Sequence, residues 1–126
     1  MSEADKVTIV IIEDHRLMVE GLASLIHEQD DLRVVGVAFT VAEGIETVDT
    51  TRPDVVLIDS WLPDGSGAEA TERIRRDHPD IAVVLLSADV SEAAISKAVE
   101  AGACGWVSKA ACAEQLLDAI RRAAHR

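Results

Sequence analysis

The sequence predicts an α/β fold in which five parallel strands alternate with five helices. Five short apolar runs rich in Val, Ile and Leu recur along the chain, helix-length segments separate them, and four of the runs end in polar or charged residues. Such runs are typical of strands buried on both faces of a parallel sheet. The chain has 126 residues, 48% of them hydrophobic and few of them aromatic, which fits one domain with an aliphatic core.

The first half of the chain predicts two strand–helix units and opens a third. The first strand is predicted at Val7–Ile12, and the helix over 16–28 places apolar residues at helical spacing. The second strand is predicted over 33–37. Thr40 and Glu43 have the spacing of a capping box, and the helix that they open should end before Arg52-Pro53. The inward stripe of the first helix is predicted to hold Leu17, Met18, Leu22, Leu25 and Ile26.

The second half continues the alternation. A third strand is predicted over 55–58, a turn cluster over 63–67 and a third helix from about 68 to 77. The remaining elements are a strand over 82–86, a helix over 91–101 with Gly102 as its C-cap, a strand over 105–107, and a helix at Ala113–Ala124 that turns Leu116, Leu117 and Ile120 inward.

These elements predict a (βα)5 doubly wound three-layer sandwich. Crossovers between parallel strands are right-handed, so helices should cover both faces of the sheet. The flavodoxin-like strand order 2-1-3-4-5 fits best. In that order the binding crevice lies beyond the carboxyl ends of strands 1 and 3.

Five polar side chains are predicted to meet at that crevice. Glu13 and Asp14 follow the first strand, Asp59 the third, Ser87 the fourth and Lys109 the fifth. Each residue type alone is unspecific, and a lone Asp after a strand is usually a turn residue. Their joint placement after strands 1, 3, 4 and 5 is what carries the prediction.

This set suits a hard divalent cation and a phosphoryl group. Asp14 and Asp59 can each give Mg2+ a carboxylate oxygen, Glu13 can bind it directly or through water, and the Trp61 backbone carbonyl can complete the set. An aspartate can attack phosphorus to form an acyl phosphate. Lys109 and Ser87 would then contact the oxygens of the transferred group.

The sequence resembles the receiver domain of two-component response regulators over essentially its whole length. The matching pieces are Ile11-Ile12-Glu13-Asp14-His15, Asp54-Val55-Val56-Leu57-Ile58-Asp59, Leu62-Pro63-Asp64-Gly65-Ser66-Gly67, Leu86-Ser87-Ala88 and Lys109. It is more narrowly similar to the NarL/LuxR-type regulators, through Asp14-His15-Arg16 with Glu20-Gly21-Leu22, Leu32-Arg33-Val34-Val35-Gly36, and Ala101-Gly102-Ala103-Cys104-Gly105-Trp106.

The resemblance implies that residues 1–126 form a single receiver domain that is a signalling switch and not a turnover enzyme. Asp59 would be the phosphoacceptor, and Glu13 and Asp14 would bind magnesium. Ser87 and Lys109 would contact the oxygens of the phosphoryl group. A sensor histidine kinase would be the donor. Phosphorylation would then change the conformation of the face formed by the fourth helix, the fifth strand and the fifth helix. Two phosphorylated domains could form a homodimer. DNA would be bound only through a C-terminal helix-turn-helix domain, expected in the parent protein and absent from this chain, to give a transcriptional output.

The resemblance leaves two alternative roles for each of three residues. Trp106 stands where the family's switch aromatic is more usually Tyr or Phe, so it either rotates with Ser87 or stays a partly buried surface aromatic. Trp61, two residues after Asp59, either shields an acyl phosphate from water or only packs on its loop. His15 either tunes the affinity for magnesium or simply begins the first helix.

Composition excludes several classes of function. The formal charge of −11 argues against electrostatic binding of nucleic acid by this domain. No signal peptide and no apolar run near the length of a membrane span is visible, and Cys104 and Cys112 fit free thiols in a reducing cytoplasm. We therefore expect a cytoplasmic protein without membrane contact.

Three other functions remain alternatives. One is a stand-alone or phosphorylation-independent receiver that acts as a protein-interaction module. Another is an aspartyl-phosphate phosphatase, which would want a second Asp where Trp61 stands. The third is a flavin- or nucleotide-binding module, which would need a Gly/Ser/Thr-rich loop where Glu13-Asp14-His15-Arg16 stands.

Overall fold

The computed structural model describes residues 2–125, so the two ends of the predicted domain, Met1 and Arg126, lie outside the described residues. The main strands are β1 (Val7–Ile12), β2 (Leu32–Ala38), β3 (Val55–Asp59), β4 (Ala82–Ser87) and β5 (Gly105–Ser108). The α-helices are α1 (Arg16–His27), α2 (Val41–Thr51), α3 (Gly67–Asp77), α4 (Glu92–Glu100) and α5 (Ala113–Ala124). A 3-10 turn at Glu3–Asp5 precedes β1.

The five strands form one parallel sheet in the order β2-β1-β3-β4-β5. In the register of the central pairs, Ile9 lies opposite Val55, and Val55 opposite Ala82. The predicted doubly wound fold and strand order are therefore confirmed.

Alternate residues of the central strands enter two separate cores, because successive side chains of a strand point to opposite faces. Ile9 and Ile11 of β1 pack with the buried residues of α1 and α5. Val10 and Ile12 pack with those of α2, α3 and α4. The predicted inward residues of α5, Leu116, Leu117 and Ile120, are buried.

One predicted core residue is wrong. Leu17 was expected on the inward stripe of α1, but its side chain is 85% exposed. Val19 and Ile26 are the buried residues of that helix. Leu17 lies in the first turn of α1, and helical spacing alone does not show which turns of a helix the rest of the fold covers.

Several boundaries move by one residue. The third and fourth strands extend to Asp59 and Ser87, so these site residues are the last residues of their strands. The predicted turn cluster contains a short antiparallel ladder, Trp61–Leu62 with Gly65–Ser66. Helix α3 starts at Gly67, one residue early, after an N-cap bond from the Glu69 N–H to the Ser66 hydroxyl.

Local hydrogen bonds explain how α2 begins after Thr40 and how α4 ends before Gly102. The Thr40 hydroxyl accepts the Glu43 N–H at 3.1 Å and caps α2. Helix α4 has Ala101 as its C-cap and not Gly102, which is the next residue, in the left-handed region at φ +95°. The Gly102 and Ala103 N–H groups donate to the carbonyls of Val99 and Ala98, which closes the helix.

Within residues 2–125 we find no helix with the length and apolar character needed to cross a membrane.

Candidate functional site

The carboxyl ends of β1, β3, β4 and β5 meet at one edge of the sheet. Asp59 is the last residue of β3, and the register sets it beside Leu86 of β4. Ser87 in turn lies beside Ser108 of β5. The Lys109 N–H donates to the Ser87 carbonyl at 2.9 Å, so the chain leaves β5 at the same edge.

Lys109 joins two of the predicted acidic residues. Its Nζ lies 3.0 Å from Asp59 Oδ2 and 3.4 Å from Glu13 Oε1. Burial acts to lower the pKa of the Lys109 ammonium, but the ion pairs with Asp59 and Glu13 outweigh it and hold that pKa above its ordinary value. Lys109 therefore stays protonated and holds a positive charge against the Asp59 carboxylate.

Glu13 is the most buried of the acidic residues, with no exposed surface. Its Oε1 accepts from Lys109 Nζ, from His15 Nδ1 at 2.6 Å and from the His15 N–H at 3.3 Å. Its Oε2 is buried and has no hydrogen-bond partner among the described residues. Burial raises the pKa of the Glu13 carboxyl; the His15 hydrogen bond opposes this rise and the charge of Asp59 adds to it.

Asp14 completes an acidic cluster with a different environment. Its side chain is 33% exposed, and its Oδ1 is buried without a hydrogen-bond partner. Ligand atoms of Glu13, Asp14, His15 and Asp59 all lie within 4.8 Å of one another. Two of the three carboxylates, those of Glu13 and Asp14, have a buried oxygen without a hydrogen-bond partner in the part of the chain that the structure describes. Together with Asp59 they form a donor set that a hard divalent cation fits, because such cations prefer oxygen ligands.

The Ser87 hydroxyl is occupied by its own loop. It donates to the Asp89 carbonyl at 2.7 Å and accepts the Asp89 N–H at 3.1 Å. The Asp89 carboxylate accepts the Ser91 N–H, and the Ser91 hydroxyl caps α4 by accepting from Ala94. Ser87 therefore lies at the site edge but is bonded toward α4. The position of Asp89, two residues after Ser87, suggests a side chain beside the path of an attacking water, but it does not show these hydrogen bonds.

The two tryptophans border a cleft beside the acidic cluster. Trp61 is 74% exposed and Trp106 is 41% exposed. The cleft between them has a volume of about 570 Å3 and is lined by Ser87 at the end of β4 and by Ala94 of α4. The Trp61 N–H lies 3.4 Å from Asp59 Oδ1. Trp61 thus lies at the mouth of the site, as its sequence position predicted; its carbonyl as a metal ligand stays a prediction.

Gly67 fixes the loop that follows Asp59. A Cβ at this position would collide with the Asp59 carbonyl oxygen, so a larger residue would displace the end of β3. The Gly67 N–H donates to the Ser60 carbonyl at 2.8 Å and keeps the loop closed. The sequence marks Gly67 only as a turn residue, whereas the structure leaves no room for a side chain against the Asp59 carbonyl oxygen.

Comparisons with known proteins agree with this architecture. The family model described as the response regulator receiver domain matches residues 9–121. Among curated proteins, the response regulator protein VraR of Staphylococcus saprophyticus is 29% identical over 116 residues, as is VraR of Staphylococcus aureus. These alignments cover 92% of this chain and 56% of each relative, so the chain spans about half the length of the curated relatives it matches.

Solved structures match over nearly the whole chain. A LuxR-family two-component response regulator from Aurantimonas sp. SI85-9A1 is 31% identical with a TM-score of 0.91, covering 95% of this chain and 86% of that one. The signal receiver domain of the putative response regulator NarL from Mycobacterium tuberculosis is 29% identical with a TM-score of 0.92, covering 96% and 98% of the two chains.

Proposed function

The chain belongs to the family of response regulator receiver domains, and from that membership we propose a phosphorylation-controlled switch with Asp59 as its phosphoacceptor. The observation that carries the proposal is the placement of Lys109 Nζ, 3.0 Å from Asp59 Oδ2 at the crevice of the sheet. A buried carboxylate beside a fixed cation is the pair that transfer of a phosphoryl group requires.

The proposed step makes one bond and breaks one. A carboxylate oxygen of Asp59 attacks phosphorus, and the bond from phosphorus to the donor breaks with its electron pair leaving on the donor. A phosphohistidine of a sensor histidine kinase is the donor that family membership suggests. The product is an acyl phosphate on Asp59, with its negative charge next to Lys109.

Glu13, Asp14 and Asp59 are the residues that would hold a magnesium ion. The orphaned oxygens Glu13 Oε2 and Asp14 Oδ1 support this assignment, since buried polar atoms are rarely left unpaired without a function. The ion supplies neutralising charge for the oxygens of the transferred group. Lys109 supplies the second positive charge from the end of β5, at the same edge of the sheet.

Ser87 would then couple phosphorylation to the rest of the domain by exchanging hydrogen-bond partners. Its hydroxyl must leave the Asp89 carbonyl before it can donate to a phosphoryl oxygen. This exchange frees the segment that caps α4, and Trp106 on β5 lies on the same cleft. We place the output surface on α4, β5 and α5, with Ser87 and Trp106 as the switch pair.

The domain would work within a longer regulator. The chain spans about half the length of its curated relatives, and it resembles LuxR-family regulators, so we place a helix-turn-helix effector after the single receiver domain. DNA contact, homodimerisation on phosphorylation and transcriptional control belong to that whole protein. The receiver itself, with a formal charge of −11, would not hold DNA.

Intact-mass measurement after incubation with acetyl phosphate tests the proposal. The wild type should gain one phosphoryl group only with Mg2+, and Asp59→Asn should gain none. Asp80→Asn is the matched control, since Asp80 is an exposed aspartate before β4 at the opposite edge of the sheet. No gain in the wild type would favour the alternative of a phosphorylation-independent interaction module.

A further inference from the structure

His15 occupies the N-cap of α1 without capping it. Its backbone is extended, at φ −84° and ψ 104°, and its side chain makes no cap hydrogen bond to the helix. Imidazole is not among the side chains favoured at this position. The structure therefore gives no helix-starting role to the His15 ring.

The ring is instead turned back onto the acidic cluster. Nδ1 lies 2.6 Å from Glu13 Oε1 and 3.4 Å from Asp14 Oδ1, although 68% of the side chain is exposed. A solvated imidazole gains little from a fixed position unless its neighbours attract it. One ring nitrogen of His15 also lies within 4.8 Å of a carboxylate oxygen of Asp59, so His15 completes a four-donor set.

A buried orphan oxygen gives independent support for a ligand at this place. Glu13 has no exposed surface, and its Oε2 has no partner among the described residues. His15 and Lys109 both contact Oε1, so Oε2 is the oxygen that remains open to a ligand among the described residues. A cation bound by Glu13 Oε2, Asp14 and Asp59 would lie beside His15 Nδ1.

We propose that His15 Nδ1 is a fourth protein ligand of this cation site, which thereby favours borderline divalent transition-metal ions over Mg2+. The proposal rests on the proposed function only through the shared acidic cluster. Imidazole nitrogen suits ions such as Co2+, Ni2+ and Zn2+, whereas Mg2+ takes oxygen ligands almost alone. His15 is thus a residue that determines metal specificity.

The geometry allows this exchange of partners. Nδ1 carries a proton when it donates to Glu13, so coordination requires that this proton be released to solvent, and the metal bond then replaces the 2.6 Å contact. Lys109 remains on Glu13 Oε1 and keeps that carboxylate in place. The exposed ring can make the small displacement without disturbing the core.

Calorimetric titration with Co2+ and with Mg2+ tests the role of His15 on three proteins. These are the wild type, His15→Gln and His27→Gln, where His27 is an exposed imidazole at the other end of α1. Losing the nitrogen ligand should weaken Co2+ binding in His15→Gln by about tenfold or more and leave Mg2+ binding within about twofold. The visible absorption of bound Co2+ should change in His15→Gln and not in His27→Gln.

Each result has one meaning. Equal Co2+ affinities and spectra for the wild type and His15→Gln would overturn the role of His15, while phosphorylation of Asp59 with Mg2+ would still stand. Equal losses for Co2+ and Mg2+ would also overturn it, because a hydrogen-bonding or structural role weakens both ions. A wild type that binds neither ion would overturn the metal site of the proposed function together with this inference.

Discussion

Two clusters of charged side chains lie at opposite ends of the same parallel sheet. At the carboxyl end, Lys109 meets Asp59 and Glu13, and two carboxylate oxygens have no hydrogen-bond partner among the residues described. At the amino end, Arg121 of α5 donates twice to Asp31, at 2.8 Å each, and once to Gln29 at 3.1 Å. The first cluster is buried and incompletely paired; the second is partly exposed and each of its acidic oxygens has a donor.

The difference separates a binding site from a structural tie. Burying carboxylates without partners destabilises the fold, so such a cluster persists where it binds something. A bidentate arginine–carboxylate pair at a partly exposed position stabilises modestly and needs no ligand. Neutral substitutions should therefore have opposite effects on stability in the two clusters.

The largest effect is expected from Lys109→Gln. Without the ammonium, no fixed cation compensates the charge that develops as phosphorus moves to Asp59, and the rate of phosphorylation by acetyl phosphate should fall about a hundredfold. Intact-mass time courses measure the rate. Lys97→Gln on α4 removes an exposed lysine beside the cleft and should react like the wild type. Rates within a factor of two for Lys109→Gln would remove Lys109 from the mechanism.

The second effect concerns Glu13→Gln without divalent ions. Burial raises the pKa of Glu13, so its charged form destabilises the fold, and the neutral amide should stabilise it by about 1 kcal/mol. Urea unfolding measures this change. Mg2+ at a hundred times its Kd should add about 2.7 kcal/mol to the wild type and far less to the variant. Glu20→Gln, on the exposed side of α1, is the control for a lost surface charge.

A Glu13→Gln variant that is less stable than the wild type and still gains full stabilisation from Mg2+ would contradict the assignment of Glu13 to a binding site. It would place Glu13 with Asp31, as one half of a structural ion pair.

The third effect has the opposite sign, at the amino end of the sheet. Arg121→Gln should lower the free energy of unfolding at pH 7 by about 1 kcal/mol. Arg122→Gln, which breaks only the exposed pair with Asp118 within α5, should cost a few tenths of a kcal/mol. Equal losses in the two variants would show that Arg121 does not tie α5 to the start of β2.

Lowering the pH should remove the third effect. The Arg121 hydrogen bonds hold the pKa of Asp31 below its ordinary value. The folded protein then binds fewer protons than the unfolded chain near that value, so the stabilisation is complete above about pH 4 and is lost as pH falls through the folded pKa. Urea unfolding should give a smaller difference between wild type and Arg121→Gln below about pH 4. A difference that grew on acidification would contradict this.

The smallest effect is expected at the rim of the acidic cluster. Trp61→Ala should shorten the half-life of the acyl phosphate severalfold, because the indole at the mouth limits the approach of water. The effect is modest since the side chain is 74% exposed. Trp61→Phe should lie between the two, and loss of radiolabelled phosphate measures all three. An unchanged half-life in Trp61→Ala would reduce Trp61 to packing on its loop.

Sequence reasoning could predict whatever depends on local pattern. Apolar runs gave the five strands, and polar residues at the strand ends gave the members of the site, because parallel strands share one carboxyl edge. Pattern could not show that the Leu17 side chain is exposed. Pattern also could not show how deeply the acidic residues lie: the structure buries Glu13 fully and leaves the Asp14 side chain one-third exposed.

Contacts between distant or loop residues were beyond prediction. Asp31 and Arg121 are 90 residues apart, and either could have been an ordinary surface charge. The hydrogen bonds of Ser87 with Asp89 depend on the path of one loop, so the sequence showed the hydroxyl but not its present partner. The sequence allows two roles for His15 because the orientation of its ring depends on its contacts with Glu13 and Asp14 in the folded protein.

Reductive trapping of the phosphorylated protein tests the central claim most directly. Borohydride reduces an aspartyl acyl phosphate to homoserine, and peptide mass mapping then locates the modified residue. After acetyl phosphate with Mg2+, the account predicts homoserine at position 59 and nowhere else, and none when Mg2+ is omitted. Homoserine at position 14, or a phosphoryl group that survives borohydride on another side chain, would contradict Asp59 as the phosphoacceptor.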